Sequence, residues 1–320
     1  MTSPFTHPAV FYRDDHEYRA ALVPFLAEGL HLGLPVAAAV PGDRLTVLRA
    51  ALGPLAREVF LLDMTEAGRN PGRIIPQVLS QFADRHAGKP ARIVGEPIWA
   101  GRSEAEYPAC VQHEALINLA FAERDLTILC PYNSSRLPTR VLADARATHP
   151  VLWQSGRPVP SPDYAPDDML ARYNEPLPEP AGAAVLTITA VTQLHAARRF
   201  VVEQAERLGL AANRVPELEL IATELITNAL RHADGTARLA LWSADGHLLC
   251  QSSDGGHLAD PLAGRLPPDP AGHSGRGLWL INDLADLVRL HTGPAGSTLR
   301  VLLRLSRDRP QRTDEQPRTR

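Results

Sequence analysis

The chain has 320 residues, room for two ordinary domains. Its 44% hydrophobic content suffices for real cores, and Lys+Arg 33 against Asp+Glu 36 leaves a net charge of −3, so no nucleic acid or anionic membrane is called for as a direct partner. Three cysteines, Cys110, Cys130 and Cys250, without a C-x-x-C pair exclude a disulfide framework or a cysteine-rich zinc site and suit a reducing cytosol. The single lysine is Lys89, in the turn Ala87-Gly88-Lys89-Pro90, so a phosphate-loop or Schiff-base lysine is excluded elsewhere. No apolar run reaches the ~18 residues a membrane span needs. The start, Met1-Thr2-Ser3-Pro4-Phe5-Thr6-His7, lacks the charged and apolar blocks of an export signal, so a cytoplasmic protein is expected.

Short apolar runs at 9–12, 36–40, 58–62, 92–94 and 126–130 alternate with helical patterns at 15–32, 44–52, 73–86, 104–122 and 139–148. That rhythm predicts an α/β domain, a mainly parallel sheet with helices on both faces, over residues 1–157. Ligands of such sheets bind beyond the carboxyl ends of the strands, at 13–16, 41–44, 63–70, 96–102 and 131–133 here. Within that rim Asp63, Arg69, Glu96 and Tyr132 are candidates for a polar ligand pocket, with Arg69 equally able to pair with Asp63. His16-Glu17 and His113-Glu114 have the look of a phosphoacceptor dipeptide, but they fall in helices of an α/β domain, not in a long helical hairpin. Cys110 and His113, at i and i+3, lack a second ligand pair and read as a buried thiol and a satisfied imidazole.

Seven prolines between Pro158 and Pro180 mark residues 158–184 as an extended, semi-rigid linker, with a helical turn near 167–172. The second domain, 185–306, opens with helical patterns at 191–208 and 214–233. A hairpin follows at 237–242 and 248–252 around Asp245-Gly246, then a Gly/Pro-rich loop at 254–274, a helix at 277–286 and a second hairpin at 288–291 and 298–305. Helices followed by antiparallel strands predict an α+β sandwich. The polar tail 307–320 reads as disordered.

The informative element is the helix at 217–233. Leu218, Ile221, Ala222, Leu225, Ile226, Ala229 and Ala233 form its apolar stripe, and Glu224, Asn228 and His232 stack beside it at i, i+4 and i+8. A carboxylate one turn from an amide oxygen can serve a magnesium-bound phosphate while the carboxylate stays free to accept a proton. Asp254-Gly255-Gly256 then leaves a strand, Gly275-Arg276-Gly277-Leu278 opens a helix whose N–H groups suit phosphate, and Gly296-Ser297-Thr298 enters the last strand. Their order over about 75 residues is more specific than any one of them.

These runs resemble the N, G1 and G2 boxes and final threonine of the GHKL ATPase superfamily over about 186–305. The closest form is that of the anti-sigma-factor serine/threonine kinases (RsbW-like). The resemblance implies a GHKL-type sandwich using ATP and Mg2+. It implies Glu224 as general base, Asn228 as magnesium ligand, and Asp254 on the adenine amino group. Gly275 and Gly277 would wrap the phosphates, Gly256, Arg276 and Leu278 would also line the nucleotide, and Thr298 would reach the adenine side. His232 would either contact phosphate or cap its helix. The sequence departs from the pattern at His257-Leu258, where a second G1 glycine is missing, and in a lid stiffened by Pro261, Pro267, Pro268 and Pro270.

Residues 7–164 resemble a MEDS sensory domain. The likeness is carried by Phe11-Tyr12, Glu17-Tyr18, Gly33-Leu34-Pro35-Val36, Asp63-Met64, Gly68-Arg69-Asn70-Pro71, Gly95-Glu96-Pro97, His113-Glu114, Asn118 and Cys130-Pro131-Tyr132. It implies sensing of a small, hydrocarbon-derived signal. The pairing of the two domains resembles RsbA-like anti-sigma regulators, whose implied partners are a sigma factor or a STAS-type anti-sigma antagonist phosphorylated on serine or threonine. Rival readings are a non-enzymatic ATP-binding module that sequesters its partner, and an atypical histidine kinase. Gln193-Leu194-His195-Ala196-Ala197-Arg198 lacks the acidic neighbour of a phosphoacceptor histidine. The sequence leaves a homodimer open.

Overall fold

The computed structural model describes residues 5–154, 156–232, 235–267 and 275–305. The first domain runs β1 (Pro8–Tyr12), α1 (Asp15–His31), β2 (Val36–Val40), α2 (Gly42–Leu52), β3 (Phe60–Asp63), α3 (Met64–Ala67), α4 (Gln81–Arg85), β4 (Ala91–Gly95), α5 (Tyr107–Ala120), β5 (Leu126–Asn133), α6 (Thr139–Thr148), β6 (Val151–Gln154) and β7 (Arg157–Pro160). The strands form one sheet in the order β3-β2-β4-β5-β1-β6-β7, parallel throughout except for the β6–β7 hairpin. β2 is buried along its whole length, as a strand covered on both faces must be. Its period-2 alternation sends Val36, Ala38 and Val40 to the core beneath α1 and α2, and Ala37 and Ala39 to the core beneath α5. The expected class of this domain therefore stands.

The helix expected at 73–86 is broken. A 3-10 turn (Pro71–Arg73) leads into a wide π-helical segment (Ile74–Ser80) before α4. Pro76 lies inside that segment, and a residue without an N–H cannot complete an α-helical ladder.

The stretch read as a linker is largely folded. β7 carries Pro158 and Pro160 on the sheet edge, where a missing N–H costs no ladder bond. Pro166 starts α7 (Pro166–Arg172) at a first-turn position that proline tolerates. α7 inserts Met169 and Tyr173 into the first core, and the hydroxyls of Tyr107 and Tyr173 both donate to Asp144 Oδ2. Residues 174–183 are extended but held against the second domain. Asn174 exchanges hydrogen bonds with Thr292 (2.7 and 3.0 Å), and the carbonyls of Leu177 and Pro178 accept from Gln251 (3.3 Å) and Arg300 (2.7 Å). Prolines remove donors but leave carbonyls, so a proline-rich strap binds through its acceptors.

The second domain is built from β8 (Ala184–Ile188), α8 (Leu194–Leu208), α9 (Val215–His232), β9 (Ala237–Ala244), β10 (His247–Asp254), α10 (Arg276–Leu284), β11 (Leu287–Gly293) and β12 (Gly296–Arg304). Its sheet is antiparallel throughout, in the order β11-β12-β10-β9-β8. The expected hairpin turn is at Asp245-Gly246, both with positive φ (48° and 72°), the conformation a two-residue turn needs. One face of the sheet (Leu239, Leu241, Leu248, Cys250, Val301 and Leu303) packs against α8, α9 and α10. The α+β sandwich is as expected; β8 is an addition to it. Residues 306–320, expected to form a disordered tail, lie outside the described residues. Among the described residues, no helix is long and apolar enough to cross a membrane.

The other face of this sheet meets the first domain. Leu249, Leu287 and Leu302 close over Ala109 of α5, with Trp242 beside them. Asp286, just past α10, is the polar centre of the contact. It pairs with Arg69 of the first domain (2.8 Å) and Arg214 of the second (2.5 Å), and accepts from the Arg304 N–H. Burial pushes its carboxyl up, but the Arg304 N–H and the two guanidiniums outweigh this and hold it below the usual carboxylate range. Asp286→Ala leaves two cations without their shared anion and should cost on the order of 3 kcal/mol in urea unfolding, whereas Glu206→Ala on the exposed face of α8 should cost under about 1 kcal/mol.

Candidate nucleotide site and the sensor contacts

Helix α9 begins at Val215-Pro216, where proline suits a first turn, and Arg214 ties this start to the end of α10 through the Leu284 carbonyl (3.1 Å). Its apolar stripe is buried in the second core, leaving Glu224 and Asn228 half-buried at the edge. Thr223 and Thr227 return their hydroxyls to the carbonyls of Glu219 and Thr223 (2.7 Å each), and Arg198 of α8 donates to the Thr223 hydroxyl (3.2 Å).

The start of α10 closes on this polar edge. A Cβ built on Gly277 would stand 2.6 Å from Glu224 Oε2, and 3.3 and 3.4 Å from Asn228 Nδ2 and Oδ1. Glu224, Asn228 and Gly277 are thus brought together, although 49 or more residues separate the glycine from the other two. Gly275 caps the helix in the left-handed conformation (φ 86°), so the chain turns sharply and the first N–H groups of α10, at Arg276, Gly277 and Leu278, face outward along the helix axis. The Leu278 side chain packs on the second core and its carbonyl accepts from Asn282 (3.1 Å).

The remaining candidates gather at the end of the sheet. Asp254 ends β10 and its Oδ1 accepts from the Gly256 N–H (2.8 Å). Ser297 donates to the Gly256 carbonyl (2.9 Å), and Thr298 lies across from Ser253, their hydroxyls 3.2 Å apart. The departure at His257-Leu258 has a structural counterpart. Thr292 Oγ1 accepts from the Leu258 N–H (3.3 Å) and meets His257 Nδ1 (3.1 Å), so hydrogen bonds fix the loop where the family pattern has glycine. The His232 side chain and residues 268–274, including Pro268 and Pro270, lie outside the described residues.

The four sensor candidates go to separate places. Asp63 caps α3, accepting from the Thr65 N–H (2.9 Å) and hydroxyl (2.7 Å). Arg69 does not pair with Asp63, because Asp286 of the second domain holds it; it also lines a cavity of about 860 Å³ between the domains. Glu96 is buried, accepts from the Tyr12 hydroxyl (2.9 Å), and is pushed up to about 8 by burial, against the pull of that donor and of Arg44. Tyr132 donates to Glu114 (2.9 Å) in the first core. The satisfied imidazole expected at His113 is also corrected: both of its ring nitrogens are buried without a hydrogen-bond partner among the described residues.

Contacts that sequence reasoning missed join the first domain to α10 and the loop before it. Asn70 donates to the Asn282 carbonyl (2.8 Å) and side chain (3.2 Å) on α10, and accepts from the Val288 N–H (3.3 Å). Asn282 in turn donates to the Gly264 carbonyl in the loop before α10 (3.2 Å). From that loop Leu262 packs on the first core, and Arg265 turns a buried Nη1 toward the first domain, where its charge follows burial in depressing His113. Burial holds Arg265 itself down to about 10. The Gly68-Arg69-Asn70-Pro71 run was the available signal, since an asparagine before a proline-started turn is placed to bind backbone.

A parallel α/β domain thus docks on an antiparallel sandwich in which the glycine-opened start of α10 lies against the Glu/Asn face of α9. Residues 188–303 match the histidine kinase-like ATPase domain family, and residues 6–150 match the family described as MEDS, the MEthanogen/methylotroph, DcmR Sensory domain. The chain therefore carries a MEDS domain followed by a histidine kinase-like ATPase domain. Among solved structures it is similar to the RsbU and RsbW domains of Rv1364c from Mycobacterium tuberculosis, at 20% identity and a TM-score of 0.29, over 39% of this chain and 33% of that one. No curated protein matches it.

Glu96 gives this domain a pH signature. Between about 4.5 and about 8 the folded state holds a proton that the unfolded chain has released, so stability falls as pH rises across that window. The slope approaches roughly 1 kcal/mol per pH unit. Glu96→Gln should flatten it in urea titrations at pH 5, 6.5 and 8; an unchanged slope would mean that Glu96 is ionised in the fold.

Proposed function

We propose that the second domain binds Mg-ATP between α9 and the start of α10 and phosphorylates a serine or threonine of a STAS-type anti-sigma antagonist, under control of a small-molecule signal sensed by the first domain. The observation that carries this reading is the approach of Gly277 to both Glu224 and Asn228. A side chain there would fill the cradle, while a hydrogen leaves room for phosphate oxygens in front of the α10 N–H groups. The donor set suits the group: an amide oxygen for a hard cation, a carboxylate left free to accept a proton, backbone N–H groups for phosphate, and Asp254 for a nucleobase amine.

Bound Mg-ATP supplies a transferable phosphoryl group and part of the charge neutralisation. The rest falls to the chain. Asn228 would hold the cation, and the N–H groups of residues 276–278 would hydrogen-bond phosphate oxygens and offset their negative charge. Gly256 and Thr298 fix the base end beside Asp254. Glu224 accepts the hydroxyl proton of the incoming serine or threonine. The partner class, antagonist or sigma factor, comes from the sequence resemblance. Control by the first domain is supported by Leu262, Arg265 and Asn282, through which α10 and the described residues before it contact that domain.

Radiolabelled ATP with a purified candidate antagonist tests the assignment. Asn228→Ala should weaken magnesium-dependent nucleotide binding more than tenfold. Glu224→Ala should keep binding within about twofold and lower label transfer at least a hundredfold, the range of general-base removal. Equal loss of binding in both variants would contradict the roles. Nucleotide binding without any label transfer by the unmodified protein would make the chain a sequestering module.

A further inference from the structure

The first domain contains a group of side chains that the nucleotide chemistry does not use. His7 just before β1, Glu114 in the middle of α5, Cys130 in β5 and His149 just past α6 are essentially inaccessible, at 0, 0, 1 and 0% exposure. One ligand atom from each lies within 4.8 Å of all the others. Glu114 Oε2 is 3.2 Å from His7 Nε2, 3.4 Å from His149 Nε2 and 3.7 Å from Cys130 Sγ, and Cys130 Sγ is 3.4 Å from His7 Nε2.

The outer hydrogen bonds fix both imidazole tautomers. His149 Nδ1 faces the Ala145 carbonyl at 2.7 Å, so it carries the proton. His7 Nδ1 faces Asn118 Oδ1 at 3.1 Å. The Asn118 Nδ2 is committed to the carbonyls of Thr148 (2.8 Å) and Ala115 (3.2 Å), so its oxygen accepts and His7 Nδ1 donates. Both Nε2 lone pairs therefore point inward. They meet a carboxylate oxygen and a sulfur there, and Tyr132 steadies the other carboxylate oxygen from outside (2.9 Å). His149 Nε2 has no hydrogen-bond partner among the described residues. Two imidazole lone pairs and a carboxylate oxygen converge on one thiol, whose single proton can join only one of them. A cation at the centre would satisfy all four.

We propose that His7, Glu114, Cys130 and His149 bind a divalent first-row transition metal, zinc or ferrous iron, in a closed four-coordinate site. Bonds of about 2.0–2.3 Å put tetrahedral ligand atoms about 3.3–3.7 Å apart, close to the separations here. A thiolate with two imidazoles selects a borderline-soft ion over magnesium or calcium. With four protein ligands the site has no open position for hydrolytic chemistry, so the metal acts through its occupancy on the elements it joins: β1, α5, β5 and the end of α6. Cys130 binds as thiolate and releases its proton on loading.

The test uses the full chain, unfolded in chelator and refolded with Zn2+, Fe2+ (anaerobically), Co2+ or no metal. Elemental analysis after desalting should give about one Zn2+ or Fe2+ per chain. The Co2+ form should show a thiolate-to-cobalt charge-transfer band with tetrahedral d–d intensity. Cys130→Ser should abolish that band and weaken metal binding at least tenfold, as should His149→Gln, while Cys250→Ala keeps both. Should the variants fail to fold, the unmodified chain still decides. A folded, metal-free chain that takes up less than a tenth of an equivalent of every metal offered overturns the proposal, as does a cobalt spectrum unchanged by Cys130→Ser. Failure here leaves the nucleotide assignment untouched, since none of the four residues lies in the second domain.

Discussion

At the candidate nucleotide site the backbone of Gly277 lies against the polar edge of α9, and this contact sets the surroundings of α10. With only a hydrogen there, α10 can start against the Glu224 and Asn228 edge of α9; a methyl would stand 2.6 Å from the Glu224 carboxylate. The cap at Gly275, the seating of Leu278 on the core and the Asn282 hydrogen bonds all follow from where α10 begins. The N-terminal N–H groups of a helix so placed lie beside a carboxylate and an amide, an arrangement that invites an anion and a cation together.

The same helix joins the two domains. At one end it meets α9, and along its length it presents Asn282 and Asp283 to the first domain, where Asn70 and Gln77 bind them (2.8 and 2.6 Å). Gly72 lets that contact form, since a Cβ on it would sit 1.9 Å from Asn282 Oδ1. Asp286 then anchors Arg69 and Arg214 at once. On the sensor side, α5 carries Glu114 into the first core and Ala109 against the second sheet. A change that moves α5 therefore presses on the interface directly.

Much of this was legible in the sequence. The strand–helix alternation gave the parallel sheet, the Asp245-Gly246 pair gave the hairpin, and the i, i+4 spacing of Glu224 and Asn228 set them on one helix face. Where the reading failed, long-range packing had overruled a local signal. Prolines 158, 160 and 166 suggested a spacer, yet each occupies a position where a missing N–H costs nothing. Pro76 was absorbed by widening a helix. Arg69 had a plausible local partner in Asp63 but took a distant one that is buried and carries a second cation. His7, Glu114, Cys130 and His149 follow no ligand spacing, because only the sheet order β5-β1-β6 brings them together.

The account rests most heavily on the space left by Gly277, and a fluorescent ATP analogue titrated with and without magnesium measures that space directly. The unmodified chain should bind, more tightly with magnesium, and Gly277→Val should lose at least tenfold in affinity while keeping its far-ultraviolet dichroism. Binding unaffected by Gly277→Val, or no binding by the unmodified chain, would contradict the central claim.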